Sequence, residues 1–171
     1  MTRSTALNFI VKQAVALAAL AGALVVAPAT WAGPPTTFVM NTEIIFPPND
    51  LAHGTFWVQE PAWICETGTF QSRKEIYPPS GGAFTAIALT EYRCDDGSGT
   101  FFIQFHPQWN PGTQGGGYWV TGPWSIMPGG TGDYVNLRGH GEMGFDNTGY
   151  DEGTGETFGE ETFAGLVQRN K

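Results

Sequence analysis

Leucine is scarce in this chain. After the first thirty residues only Leu51, Leu89, Leu137 and Leu166 remain, while glycine numbers 24 and proline 12 across 171 residues. No segment beyond that point keeps a 3.6-residue apolar period for three turns, so regular helix has little to build on. Cysteine is almost absent: Cys65 and Cys94 are the two, and neither sits in a Cys-x-x-Cys or His-paired setting that a metal or reactive thiol would use. The three histidines, His53, His106 and His140, stand far apart with no paired spacing, which argues against zinc. No Gly-x-Ser-x-Gly or comparable nucleophile setting surrounds Ser72, Ser80, Ser98 or Ser125. Basic residues are few as well, eight against sixteen acidic ones.

The one long apolar run is at the start. Arg3 and Lys12 precede the apolar residues 14–27, and small residues then offer cleavage after Ala32 or after Ala29. The run is shorter than the roughly 20 residues of a membrane span, so residues 1–32 read as a cleaved secretory signal peptide, with residues 33–171 as a single exported domain, secreted or periplasmic. No second such run follows, so no membrane association is expected after cleavage. The leader removes two basic and no acidic residues, leaving six against sixteen and a net charge of −10. Nucleic acid and anionic membranes are poor partners for that surface. In an exported protein Cys65 and Cys94 are expected to form one disulfide; a loop of about 30 residues closed this way gives roughly 3–4 kcal/mol in the chain-entropy model.

What is present is strand chemistry. Residues 36–46 are rich in β-branched and aromatic side chains and stop at Pro47-Pro48-Asn49-Asp50; residues 54–59 form a second strand ending at Pro61, and residues 63–66 with 68–70 a third. A polar patch (71–75) and the turn Pro78-Pro79-Ser80-Gly81-Gly82 close that section. Residues 84–94 alternate well, Asp95-Asp96-Gly97-Ser98-Gly99 is a hairpin turn, and residues 100–106 return. Residues 108–117 read as a loop and 117–121 open the next strand. An apolar run ends at Pro128, Gly129-Gly130-Thr131-Gly132 reverses the chain, and a strand alternating from Tyr134 follows. Residues 146–161 read as a polar loop with six carboxylates, before a last strand over 162–168. Gly-Thr-Phe recurs from residues 54, 68 and 99 at uneven spacing, which is turn-to-strand punctuation, not a repeat. About eight strands with short connections predict an all-β fold, a single antiparallel eight-stranded calycin-like β-barrel, with a sandwich as the other all-β solution.

The strand from Tyr134 splits by parity. Tyr134, Asn136, Arg138, His140 and Glu142 share one face, and Val135, Leu137, Gly139, Gly141 and Met143 the other. If the apolar set fills the core, the polar set is a solvated face held by cross-strand pairs. If the polar set faces a cavity, His140 and Glu142 are placed to move protons, Arg138 to hold an anion, and Tyr134 and Asn136 to bind a ligand. The run Gly139-x-Gly141-x-x-Gly144 has the spacing of a dinucleotide fingerprint, but turn residues follow where a helix is required, so no cofactor is implied. Asp146, Asn147, Asp151, Glu152 and Glu156 are hard oxygen ligands in a spacing that matches no Ca²⁺ loop, and no metal site is expected. Among the tryptophans, Trp109 in its Gly/Pro loop is the candidate for an exposed binding aromatic; with Trp119 it makes a carbohydrate-binding sandwich the reading from a different class.

The pattern Trp124-x-Ile126, Gly129-Gly130-Thr131-Gly132-x-Tyr134, Leu137-x-Gly139-x-Gly141 resembles the hairpin of the allene oxide cyclase and dirigent barrel superfamily, over roughly 20 residues. That resemblance implies an eight-stranded antiparallel barrel, often trimeric, enclosing an apolar pocket. It carries over no functional residue, because the polar residues of those proteins lie on strands that do not align here. The expectation is a small-ligand binding or scaffold barrel without catalysis, taking an apolar ligand. An isomerase or cyclase working inside the barrel is the alternative.

Overall fold

A computed structural model describes residues 33–76, 84–111 and 118–169, with only the backbone described at 84, 109–111, 118 and 119. The leader reading, the 78–82 turn, the side chains of Trp109 and Trp119, and most of the 108–117 loop lie outside the described residues.

The chain is all-β, built as a closed eight-stranded antiparallel barrel. In order come β1 (Thr36–Phe46), β2 (His53–Glu60), β3 (Thr67–Ile76), β4 (Phe84–Thr85), β5 (Ile87–Cys94), β6 (Thr100–Phe105), β7 (Gln108–Pro111), β8 (Tyr118–Met127), β9 (Leu137–Tyr150) and β10 (Thr157–Arg169). β4 continues into β5 past Ala86. β6 continues into β7 past His106 and Pro107, where proline has no N–H to add to the ladder. Each barrel strand therefore pairs with its neighbour in sequence, and β10 returns to pair with β1 over eleven positions. Closure leaves the barrel strands no free edge.

Alternation decides what goes inside. Phe38, Met40, Thr42 and Ile44 of β1, Ala88, Thr90, Tyr92 and Cys94 of β5, and Phe101, Ile103 and Phe105 of β6 are buried in strict every-second order. Mid-barrel, Tyr92 stacks on Phe101 at 5.2 Å between ring centroids, Phe56 sits edge-on to both, and Trp124 packs on Phe38 at 5.2 Å. Most of the charged side chains are exposed, Glu161 being buried.

One end of the barrel is plugged. The disulfide Cys65–Cys94 ties the loop before β3 to the end of β5. Tyr134 lies there, inside; its hydroxyl accepts the Cys65 N–H at 3.0 Å and pairs with the Ser98 hydroxyl at 2.9 Å. The 129–132 turn packs back to back with the 95–99 turn. A Cβ on Gly132 (φ +56°) would lie 2.1 Å from the Ser98 carbonyl oxygen, so the glycine answers both a positive φ and a close approach. Arg169 lies over the half-buried Trp63 ring, 5.8 Å from its centroid.

Four sequence expectations change, the first being that Gln108–Pro111, expected as loop, is strand β7 paired with β8. The strand expected from Tyr134 begins at Leu137, because Gly132–Tyr134 form a 3₁₀ turn that swings Tyr134 into the interior and leaves Val135 59% exposed. The polar patch over 71–75 is strand, and residues 63–66 are not. The expected 146–161 loop shrinks to a 151–156 turn, since β9 runs to Tyr150 and β10 starts at Thr157.

Candidate functional site

The end opposite the plug holds a cavity inside the barrel. Its walls are apolar: Ile44, Phe46, Ala88, Val120, Met143 and Phe145. Its polar lining is Ser72, Glu75 and Glu161. The side chains leave about 20 Å³ for the centre of a water-sized sphere, room for roughly one water. Including the solvent in its opening, the empty space comes to about 380 Å³.

Each polar group arrives by strand geometry. On β10, Gly159, Glu161, Phe163 and Val167 lie in phase and point inward, so Glu161 is 3% exposed. On β3 the inward set begins with Gly68, Phe70 and Ser72. The register then shifts between Ser72 and Lys74, and this bulge passes the inward position to Glu75 while Lys74 stays exposed. Two carboxylates thus reach the chamber, and among the described residues no Lys or Arg lines it.

The polar groups of the chamber bond to their neighbours. The Thr42 hydroxyl donates to Glu161 Oε2 at 3.1 Å, the Ser72 and Thr90 hydroxyls pair at 3.2 Å, and Glu75 Oε1 accepts the Ala52 N–H at 3.1 Å. Burial pushes the Glu161 carboxyl up to about 7; the Thr42 bond works against that rise and the charge of Glu75 adds to it. The Tyr92 phenol is fully buried and has no hydrogen-bond partner among the described residues. Burial first, and the charge of Glu161 second, hold its pKa well above the ordinary range. A carboxylic acid titrating near neutrality beside an apolar wall can accept or donate a proton, or bind a cation.

The residues singled out in the sequence lie elsewhere. Arg138, His140 and Glu142 are exposed on the outer face of β9, opposite Leu137, Met143 and Phe145, so the proton-moving trio does not line the interior. Tyr134 leaves that stripe altogether and plugs the far end; Asn136 is exposed beside it. Trp109 is placed by its backbone in β7, paired with Phe84 and Val120. The fingerprint-like glycines 139, 141 and 144 sit within β9, with strand on both sides. Asp146 and Asn147 belong to that strand, and Asp151 Oδ1 accepts the N–H groups of Gly153 and Thr154, holding the turn. Among the described residues no group of three His, Cys, Asp or Glu side chains is arranged to hold a metal ion. A wider hollow of about 440 Å³ lies on the outer face of β2, β3 and β5, but its charges pair with each other, Arg73 and Arg93 both on Glu91. Such exposed pairs are worth little.

No family model matches this chain, and no curated protein or solved structure gives a significant match.

Proposed function

We propose that this protein is an exported small-ligand binding barrel, taking a slender molecule with an apolar body into the mouth cavity. The observation that carries it is Glu161, a buried carboxyl set in the floor of an otherwise apolar chamber that opens at one end. A core with only a structural purpose gains nothing from such a group, because desolvating a carboxylate costs more than one hydroxyl bond returns. The walls support an apolar body, and the small side chains of Ala86 and Ala88 keep the space above the floor free. Kinship with the allene oxide cyclase and dirigent barrels is part of the same proposal, supported by the barrel and by the hairpin residues 124–141. Export is supported by the N-terminal sequence and is compatible with the disulfide.

One observation favours a second reading, acid–base catalysis on a bound ligand. Its residue is Glu161, titrating at about 7.

Thermal unfolding with n-octanol tests the binding proposal. A ligand held only by the folded state adds about 2.7 kcal/mol at one hundred times its Kd. The melting temperature is expected to rise with octanol, and Ala88→Phe, which fills the chamber, is expected to remove that rise while the variant still unfolds cooperatively. No rise with wild type, or the same rise with Ala88→Phe, overturns it.

A further inference from the structure

We infer that the mouth cavity selects an apolar primary amine, bound head-first with its ammonium group on Glu161. This rests on the small-ligand reading above and names the class of ligand.

The charges point one way. Glu161 and Glu75 both face the chamber, and no basic side chain among the described residues lines it. Glu161 receives one hydrogen bond, from Thr42, and the nearby Tyr92 hydroxyl is buried without a partner among the described residues. Glu161 thus keeps acceptor capacity, and the Ser72 hydroxyl of the same lining can accept as well as donate. An ammonium group brings three donors and one positive charge, which answers the carboxylate and offsets the repulsion between the two acids. A carboxylate or phosphate head would add a third negative charge. A bare metal ion would leave the apolar wall unused.

Size permits it: the chamber takes about one water, and an –NH₃⁺ group is of that size. A chain attached to it would extend past Ala88, Val120 and Phe145 into the solvent-filled opening. The net negative charge of the chain favours a cation during approach.

Isothermal titration of the purified protein at pH 7.5 with n-octylamine, n-octanol and octanoate is the test. Octylamine is expected to bind at least about tenfold more tightly than octanol, the margin of one charge-assisted hydrogen bond, and octanoate more weakly than either. Glu161→Gln is expected to erase the preference of amine over alcohol, and Glu75→Gln to reduce it. If octanol or octanoate binds as well as octylamine and Ala88→Phe abolishes that binding, the amine inference fails and the binding barrel stands. If none of the three binds, both fail. The wild-type comparison decides the matter even where Glu161→Gln does not fold.

Discussion

Glu161 was hidden from the sequence by a boundary. Residues 146–161 hold six carboxylates, and read as a loop they make Glu161 one solvated acid among several. The signal was nonetheless present: Phe163 and Val167 are in phase, and carrying that phase back two residues puts Glu161 inside. Glu75 had no such signal, because a bulge that moves the inward position by one residue follows from pairing with β5 and is not written in β3 itself. The buried acid has a sign-definite consequence. Its folded pKa of about 7 stands above the ordinary 4.5 of a glutamate in water, so between those values the folded state binds more protons than the unfolded one. Stability from this group is full below pH 4.5 and is lost as pH rises through 7, a change of roughly 3 kcal/mol. Glu161→Gln keeps the shape and a partner for Thr42 without the titration. Its stability relative to wild type, measured by urea unfolding, is expected to grow by about that amount from pH 4.5 to pH 8. A difference that does not change with pH refutes the buried, titrating carboxyl.

At the scale of elements the sequence was most readable where alternation and punctuation agree. Residues 36–46 predict a strand with the bounds that β1 has, and the arms around the 95–99 turn follow the expected alternation of residues 84–94. Side-chain parity on β9 was readable only as two options, since a polar stripe and an apolar stripe of equal length each permit either face. What settles it is packing that no local pattern contains. Gly141 lies opposite Gly165 across the β9–β10 pair, and Trp124 from β8 lodges against them, its indole N–H donating to the carbonyls of Glu142 at 3.0 Å and Ala164 at 3.2 Å. A Cβ on Gly141 would stand 2.0 Å from the Ala164 carbonyl oxygen and 2.7 Å from the Gly165 Cα, both backbone atoms that yield only if strands separate. Gly141→Ala is therefore expected to cost at least the ~3 kcal/mol upper range of ordinary overpacking. The same change at Gly144, whose Cβ would meet nothing within 4 Å, is expected to cost under about 1 kcal/mol. Urea unfolding of the two variants checks this, and equal costs would refute the three-strand wedge.

For the whole molecule, closure and asymmetry act together. The meander is completed by β10 returning to β1, so every barrel strand has two neighbours. The two ends nevertheless differ in what holds them. One has a disulfide, the Tyr134 hydroxyl bonded to Cys65 and Ser98, and two interlocked turns. The other has a cavity, two facing acids and the short β4–β7 pair of two positions. Local opening should follow that division, because segments with few buried contacts open at lower free energy than the global transition. In native-state hydrogen exchange the amides of Cys94, Phe101 and Tyr134 are expected to approach the global unfolding free energy. Those of Thr85, Ala86 and Ile87 are expected to exchange faster by tenfold or more. A ligand seated in the chamber spans the walls of β1, β5, β8 and β9, so octylamine is expected to slow exchange at Ile44, Ala88, Val120 and Phe145 while leaving the plugged end unchanged. Protection that is uniform from end to end would mean that the barrel opens only as one unit. That result would refute the division of the barrel into a held end and a looser, ligand-accepting end.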